Sequence, residues 1–406
     1  MALLVIADDL TGGADAGVRF ARAGLATRLL LDPATDPAAH PGSAQVVVVD
    51  TDGRRLTPAA ARVAVRDVAR RGGRIFKKVD SLLRGPVAAE LAGLLDAVPD
   101  ALVLLAPALP AAGRTTVDGV QLVDGTPLHR ADGAWAAEPG TPPEDVTTLL
   151  APLGVTRAGL AEVRGGRLAS TLDSATTPVL LCDAETDDDL AAIVHAGLAC
   201  GRRVCWAGTA GLAGALASAL TRDAAAGSVA PRPDERISFG GRGPDGPYLA
   251  VIGSATPTAL AQADQLAARG ARLFSIPAGD LAGGRLDLAD RIRTAVGGAD
   301  TVVRVDGGVD PAATDLVAAG LAAVTAPAAA RSRLLVLTGG ATARGVLAGA
   351  GVTGLWLLAE PEPGVVVGAE PGTGRITVTK AGSFGDPRTL VRAVEAVRHT
   401  PKEPTQ

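Results

Sequence analysis

Short apolar runs alternate with amphipathic segments along most of the chain, and this alternation limits the fold more than any other feature. The runs "ALLVI" (2–6), "ATRLLL" (26–31), "AQVVVVD" (44–50), "RIFKKVD" (74–80) and "ALVLLAP" (101–107) read as strands. Between them the apolar spacing becomes helical: residues 12–24 place Ala14, Val18 and Ala21 at i, i+4 and i+7. A second helix is expected over 58–71, capped by Thr57 and stopped at Gly72, and a third over "PVAAELAGLLDAV". Strands that are apolar throughout, and not at every second residue, belong to a parallel sheet covered on both faces. Hydrophobic residues make up 47% of the chain but aromatics only 2%, so the core must be built from Ala, Val and Leu.

At 406 residues the chain is long enough for two domains. The rhythm breaks over 107–145, a long excursion with strand-like fragments between turns, and resumes near 153. Long irregular insertions in compact domains are often functional. The stretch 222–247 is charged and rich in Pro and Gly, the best linker in the chain. A second alternating series follows, starting at "YLAVIGS" and a helix over 257–269, with a last helix near 387–398. The expected architecture is α/β: two domains, each with a largely parallel sheet flanked by helices, and an active site in the cleft between them. The first domain would cover 1–221 and the second 248–400, with a tail at 401–406.

Several function classes are disfavoured. The net charge is −4 and basic residues are not interleaved with aromatics, which argues against a nucleic-acid partner. Cys182, Cys200 and Cys205 lack metal or redox spacing, and a reduced, cytoplasmic setting is expected. The four histidines are dispersed, so no metal cluster is indicated. The apolar run at the N-terminus is too short for a signal peptide, and no run is long enough to span a membrane. The pattern GxGxxG occurs at Gly241–Gly243–Gly246 and at Gly349–Gly351–Gly354. Neither follows a strand and opens a helix, as a dinucleotide site requires. There is no P-loop and no G-x-S-x-G nucleophile elbow.

Three polar clusters end predicted strands in the first half. They are Asp8, Asp9 and Thr11 in "ADDLTGG"; Asp50, Asp52, Arg54 and Arg55 in "DTDGRR"; and Lys77, Lys78, Asp80, Ser81 and Arg84 in "KKVDSLLRG". Open parallel sheets bind ligands outside the carboxyl ends of their strands, so the three would converge on one pocket. Carboxylates there can accept a bond from a sugar hydroxyl or take its proton, and Arg can hold a carboxylate bidentately. Strand ends of the second half carry glycines and small hydroxyls instead: "IGSATPT", "TGGATARG" and "KAGSFGDP". Amides at helix N-termini bind anions, which is one way to hold phosphates without a P-loop. A half suited to a hydroxylated anion and a half suited to phosphates together point to phosphoryl transfer.

The segments "ADDLTGGADAG", "KKVDSLLRG", "PALPAAGRTTVDGVQLVDGTPL", "GTAGLA", "TGGATA", "EPEPGVVVG" and "TKAGSFGDP" occur in this order across residues 3 to 392. In these the chain resembles the four-carbon acid sugar kinase family, which phosphorylates threonate, erythronate or 3-oxo-tetronates with ATP. The resemblance implies an N-terminal domain that binds the acid sugar and a C-terminal domain that binds ATP, with Mg²⁺ as the accompanying metal. It makes Asp9, Arg54, Lys78, Asp80, Ser81 and Arg84 substrate-binding residues, and Ser254, Gly339, Gly340, Ala341, Thr342 and Gly382 nucleotide-binding ones. Arg54 and Arg84 would hold the substrate carboxylate, and either Asp9 or Asp80 would orient and deprotonate the terminal hydroxyl. Metal ligands and oligomeric state are not legible. Four positions depart from the family pattern: Leu82 stands for Thr, Ala341 for Glu, Ser383 for Gly and Gly13 for Ala. Two rival classes are an NAD(P)-dependent hydroxy-acid dehydrogenase, disfavoured by the glycine context, and a non-catalytic sugar-acid-binding protein.

Overall fold

The computed structural model describes residues 3–35, 44–133, 135, 138, 140–225, 244, 246–284, 287–308, 310–382 and 384–398. Contacts gather the chain into two compact units, Met1–Thr27 with Asp32–Ala230, and Arg28–Leu31 with Pro231–Gln406. Along the chain the first eleven strands are β1 (Leu3–Ala7), β2 (Thr27–Leu30), β3 (Val46–Asp50), β4 (Arg74–Lys78), β5 (Leu102–Ala106), β6 (Arg114–Val117), β7 (Val120–Val123), β8 (Thr126–Pro127), β9 (Val155–Ala158), β10 (Val179–Cys182) and β11 (Val204–Gly208).

In the first unit seven strands form a parallel sheet in the order β3-β1-β4-β11-β5-β10-β9. β1 and β3 are buried at every residue, as expected of strands covered on both faces. Helix α1 (Leu10–Arg22) packs against the helix Ala210–Ala225, and α2 (Pro58–Ala69) against α3 (Val87–Ala97). Two caps are local, and the one at Thr57 is the one the sequence leads one to expect. Asp9 accepts from the Gly12 amide at the start of α1, and Thr57 caps α2 ahead of Pro58. Cys182 and Cys205 are buried, and burial pushes the Cys205 thiol up to about 11, so it is an inert core residue.

The excursion after β5 contains regular structure. β6, β7 and β8 form a three-stranded antiparallel sheet. Its two hairpins turn at Asp118-Gly119 and Asp124-Gly125, all four with positive φ. Asp-Gly is the pair that such a turn selects. The first turn is pinned by Asp183, whose carboxylate accepts from the amides of Asp118 and Gly119.

The second unit contains β12 (Tyr248–Ile252), β13 (Arg272–Pro277), β14 (Thr301–Asp306), β15 (Leu334–Thr338), β16 (Gly354–Glu362), β17 (Val365–Ala369) and β18 (Ile376–Lys380). Its sheet runs β13-β14-β12-β15-β18-β17-β16-β2, parallel up to β18 and antiparallel beyond it. The strand expected over 26–31 therefore pairs here, with Leu30, Leu29 and Arg28 opposite Gly354, Leu355 and Trp356. The Arg28 guanidinium lies 5.7 Å from the centre of the Trp356 ring. An apolar run identifies a strand but not the edge to which it adds, so the sequence placed it with its chain neighbours. "EPEPGVVVG" is the β16–β17 hairpin, turning at Gly364 with φ +72°.

Arg222 of the expected linker lies within the helix Ala210–Ala225; most of 226–247, the tail 401–406 and Ser383 fall outside the described residues. Among the described residues no helix is long and apolar enough to cross a membrane.

Candidate functional site

The order β3-β1-β4 makes the three acidic and basic clusters neighbours, because parallel strands end at one edge. Ala7 stands beside Asp50 and Ile6 beside Lys77. Arg54 is at the centre. Its Nε and Nη2 donate to Asp8 Oδ2 at 2.9 and 2.6 Å. Nη2 also reaches Asp9 Oδ1 at 3.0 Å and Asp80 Oδ1 at 3.3 Å. Arg84 grips Asp80 through Nε and Nη2, both at 2.7 Å, and Asp80 Oδ2 takes the amides of Leu82 and Arg84 as well. Lys78 Nζ donates to the Val79 carbonyl and stands 4.0 Å from Asp8 Oδ1.

Burial is the largest influence on the Asp8 and Asp80 carboxyls and pushes them up, but the surrounding cations together outweigh it: Arg54, Lys78 and Lys77 at Asp8, and Arg54, Arg84 and Lys78 at Asp80. Each is held below the usual carboxylate range, Asp80 far below. Asp8, at the end of a buried strand, is thus stable as an anion because Arg54 and the two lysines stand beside it. Backbone conformation holds the turns in place. Asp52, just before Arg54, has φ +51°, and buried Leu83 has φ +57°. A left-handed leucine costs on the order of 1–3 kcal/mol, and here the turn closing on Asp80 imposes it.

The excursion fastens onto that turn. Gln121 Nε2 donates to the carbonyls of Ser81 and Pro107, while its Oε1 accepts from Thr116. Trp135 Nε1 donates to the Leu82 carbonyl at 2.8 Å, and Glu138 comes within 3.8 Å of Arg84. So Asp9, Arg54, Lys78, Asp80, Ser81 and Arg84 lie together, Ser81 through its backbone. Gln121, Glu138 and Glu90 were missed by sequence reasoning. A glutamine inside "VQLV" and a glutamate inside "VAAELAGLL" are polar residues on otherwise apolar faces, which is the available signal.

In the second unit β12, β15 and β18 lie side by side, with Ile252, Thr338 and Lys380 in register. Gly339, at φ +87°, leads into the helix Gly340–Gly349, whose first turn carries no acidic residue. The first intrahelical bond comes from Ala343, so the amides of Gly340, Ala341 and Thr342 have no partner within the helix. A Cβ on Gly382 would come 2.7 Å from Ser254 Cβ and Oγ, so these two strand-end turns touch. Ser254 Oγ is 3.1 Å from Thr256 Oγ1. Lys380 Nζ donates to the carbonyls of Ala381, Gly382 and Phe384, which ties the last turn into a ring. Burial lowers that ammonium to about 8. The Thr338 hydroxyl is buried with no hydrogen-bond partner in the structure. Bare amides, a polar orphan and no carboxylate in the first turn suit a phosphate chain. Among the described residues no group of three or more His, Cys, Asp or Glu could hold a metal.

One parallel unit ends in carboxylates and guanidinium groups, the chemistry suited to a hydroxylated anion, and the second ends in glycine amides, the chemistry suited to phosphates. Residues 3–216 match the family described as the sugar-binding N-terminal domain, and residues 249–390 the one described as the nucleotide-binding C-terminal domain. The chain is 35% identical to a D-threonate kinase of Cupriavidus necator over 98% of both chains. It is 34% identical to a D-threonate kinase of Bordetella bronchiseptica over 97% of both. A crystal structure from Salmonella typhimurium, described as a putative tRNA synthase, shares the fold with a TM-score of 0.75 at 19% identity, covering 97% of this chain and 98% of that one. The chain belongs to the four-carbon acid sugar kinase family.

Proposed function

We propose that this protein is an ATP-dependent kinase that phosphorylates the terminal hydroxyl of a four-carbon sugar acid such as threonate. The observation that carries the reading is the sharing of Arg54 among Asp8, Asp9 and Asp80 in the unit matched to sugar binding. Such a site is preorganised for a small anion with hydroxyls, since its charges are fixed before the ligand arrives. The exposed edge of Arg84, with Arg54 behind it, holds the substrate carboxylate. Ser81 and Lys78 shape the floor.

Asp9 is the better base. Asp80 already accepts from five donors and is held far below the usual carboxylate range, which makes it a poor proton acceptor. The Asp9 side chain is the most open of the three acids, 12% exposed against 2% for Asp8 and 7% for Asp80. Its Oδ2 accepts from the Thr11 hydroxyl. Asp9 orients the attacking hydroxyl and takes its proton, while Asp80 keeps both arginines in place.

In the second unit the amides of Gly340, Ala341 and Thr342 receive the phosphates, with Gly339, Gly382 and Ser254 forming the surrounding turns. Mg²⁺ bound to the nucleotide would supply neutralisation of its phosphate charge, with the amides of Gly340, Ala341 and Thr342 holding the phosphates. A coupled ATPase assay against D-threonate, D-erythronate and 3-oxo-tetronates tests the reading, with the product's phosphate position read by phosphorus NMR. ATP-dependent formation of a 4-phosphate is expected. Turnover with none of these acids, or thermal stabilisation by NAD(P) and not by ATP-Mg²⁺, would overturn it.

A further inference from the structure

Beneath the charged site lies a second ion pair that the proposed chemistry does not use. Glu90 sits in the first turn of α3 and is buried, as is Lys77, whose Nζ lies 3.1 Å from Glu90 Oε2. Lys77 also donates to the carbonyl of Lys78. Glu90 Oε1 has no hydrogen-bond partner in the structure and lies against the turn above it. A Cβ on Gly53 would come 2.5 Å from that oxygen and 3.0 Å from Thr51 Oγ1. Gly53 does not have a positive φ, so close approach, and not backbone conformation, accounts for glycine here. Gly53 begins the turn Gly53–Arg55 that carries Arg54, and the Arg54 amide is bonded to the Asp8 carbonyl.

Resting on the assignment of this site to the acid sugar, we infer that Glu90 is a positioning residue. Through Lys77 and Gly53 it supports the turn that aims Arg54, and its proton is coupled to the anion bound above. The charged groups that act on it come from three elements: Lys77 of β4, Asp8 beyond β1, and Arg54. Burial pushes Glu90 up to about 7, with Lys77 acting against it, so near neutrality the carboxyl is held between its two forms. A sugar acid adds a negative charge nearby and favours the protonated form. Its binding therefore takes up a proton, and by linkage its affinity falls as pH rises through 7.

Calorimetry of D-threonate binding to the full chain, in buffers of different ionisation heat, reads the proton directly. Wild type should take up a fraction of a proton at pH 7, and its Kd should rise about fivefold between pH 6 and 8. Glu90→Gln keeps the shape without the titration. It should bind with no uptake and a flat Kd over that range. Gly53→Ala should raise the Kd about tenfold while leaving ATP stabilisation unchanged, and adding Glu90→Ala should recover part of the loss. Wild-type binding without proton uptake overturns the inference. So does a Glu90→Gln protein that keeps the wild-type pH dependence, or a double variant no better than Gly53→Ala. A folded wild type that binds ATP but no tetronate overturns the site assignment itself, and the inference with it.

Discussion

The two units end their central strands with opposite chemistry. After β1, β3 and β4 stand Asp8, Asp9, Arg54, Asp80 and Arg84, nearly all of whose charge is engaged by one another before any ligand arrives. After β12, β15 and β18 stand glycines, hydroxyls and bare amides, with one buried lysine spent on tying its own loop. A mutually locked ionic site is rigid and selective, because a ligand must match charges it cannot rearrange. An amide cradle recognises phosphate by geometry and indifferently to what the phosphate carries. The contrast is what a protein needs if one substrate must be told from close isomers and the other is a common currency.

Substitutions should respect that division. Asp9→Asn should lower kcat by about 10² to 10⁴ with the KM for the sugar acid nearly unchanged, while ATP still stabilises the protein in a thermal shift. Retained turnover within tenfold of wild type would remove Asp9 as the base. Arg54→Ala strips one guanidinium from three buried carboxylates and should destabilise the first unit by about 3–5 kcal/mol in urea, leaving the second unit's transition in place. A single shared shift would show that the units do not unfold separately.

Acid should act on the same side more gently. Asp8 and Asp80 are held below their usual 3.8, so their contribution is present above that pH and is lost as pH falls below it. Unfolding followed from pH 5 to pH 2 should therefore weaken the first unit, with a shallower slope in Asp80→Asn. Gly382→Ala places a methyl 2.7 Å from Ser254 and should cost ATP binding about 1–3 kcal/mol without changing sugar-acid binding. An effect on the sugar site instead would break the division. The smallest change expected is from Leu82→Thr. The amide and carbonyl of residue 82 are already bonded to Asp80 and Trp135, so the turn stays and only a hydroxyl is added. Relative kcat/KM among tetronates should shift about tenfold or less.

Much of this was legible in the sequence. The Thr57 cap was, because a cap joins residues three apart; Asp9 was read only as a site residue, and its cap on α1 was not. The convergence of three polar clusters was too, since all strands of a parallel sheet end at one edge. The hairpins at Asp118-Gly119 and Asp124-Gly125 were only half read, as fragments between turns, although Asp-Gly names the turn type. That Arg54 and Arg84 also bind the protein's own aspartates could not be read, because residue type does not say which neighbours an arginine meets. Gln121 and Glu90 were out of reach for the same reason: Gln121 meets the Ser81 carbonyl, and Glu90 the Gly53 turn, only in the folded chain.

The sequence by itself determined which segments are strands and helices, how the helices start, and which strand ends carry charge and which carry glycine. These follow from spacing of 2 and 3.6 residues and from contacts within a single turn. The tertiary structure alone decided that β2 joins the sheet of the second unit, that β1 lies between β3 and β4, and that Glu90 stands under Gly53. Backbone pairing is nearly indifferent to which strand supplies the partner. The choice is made by the packing of side chains distant in sequence, which exists only once the whole chain has condensed.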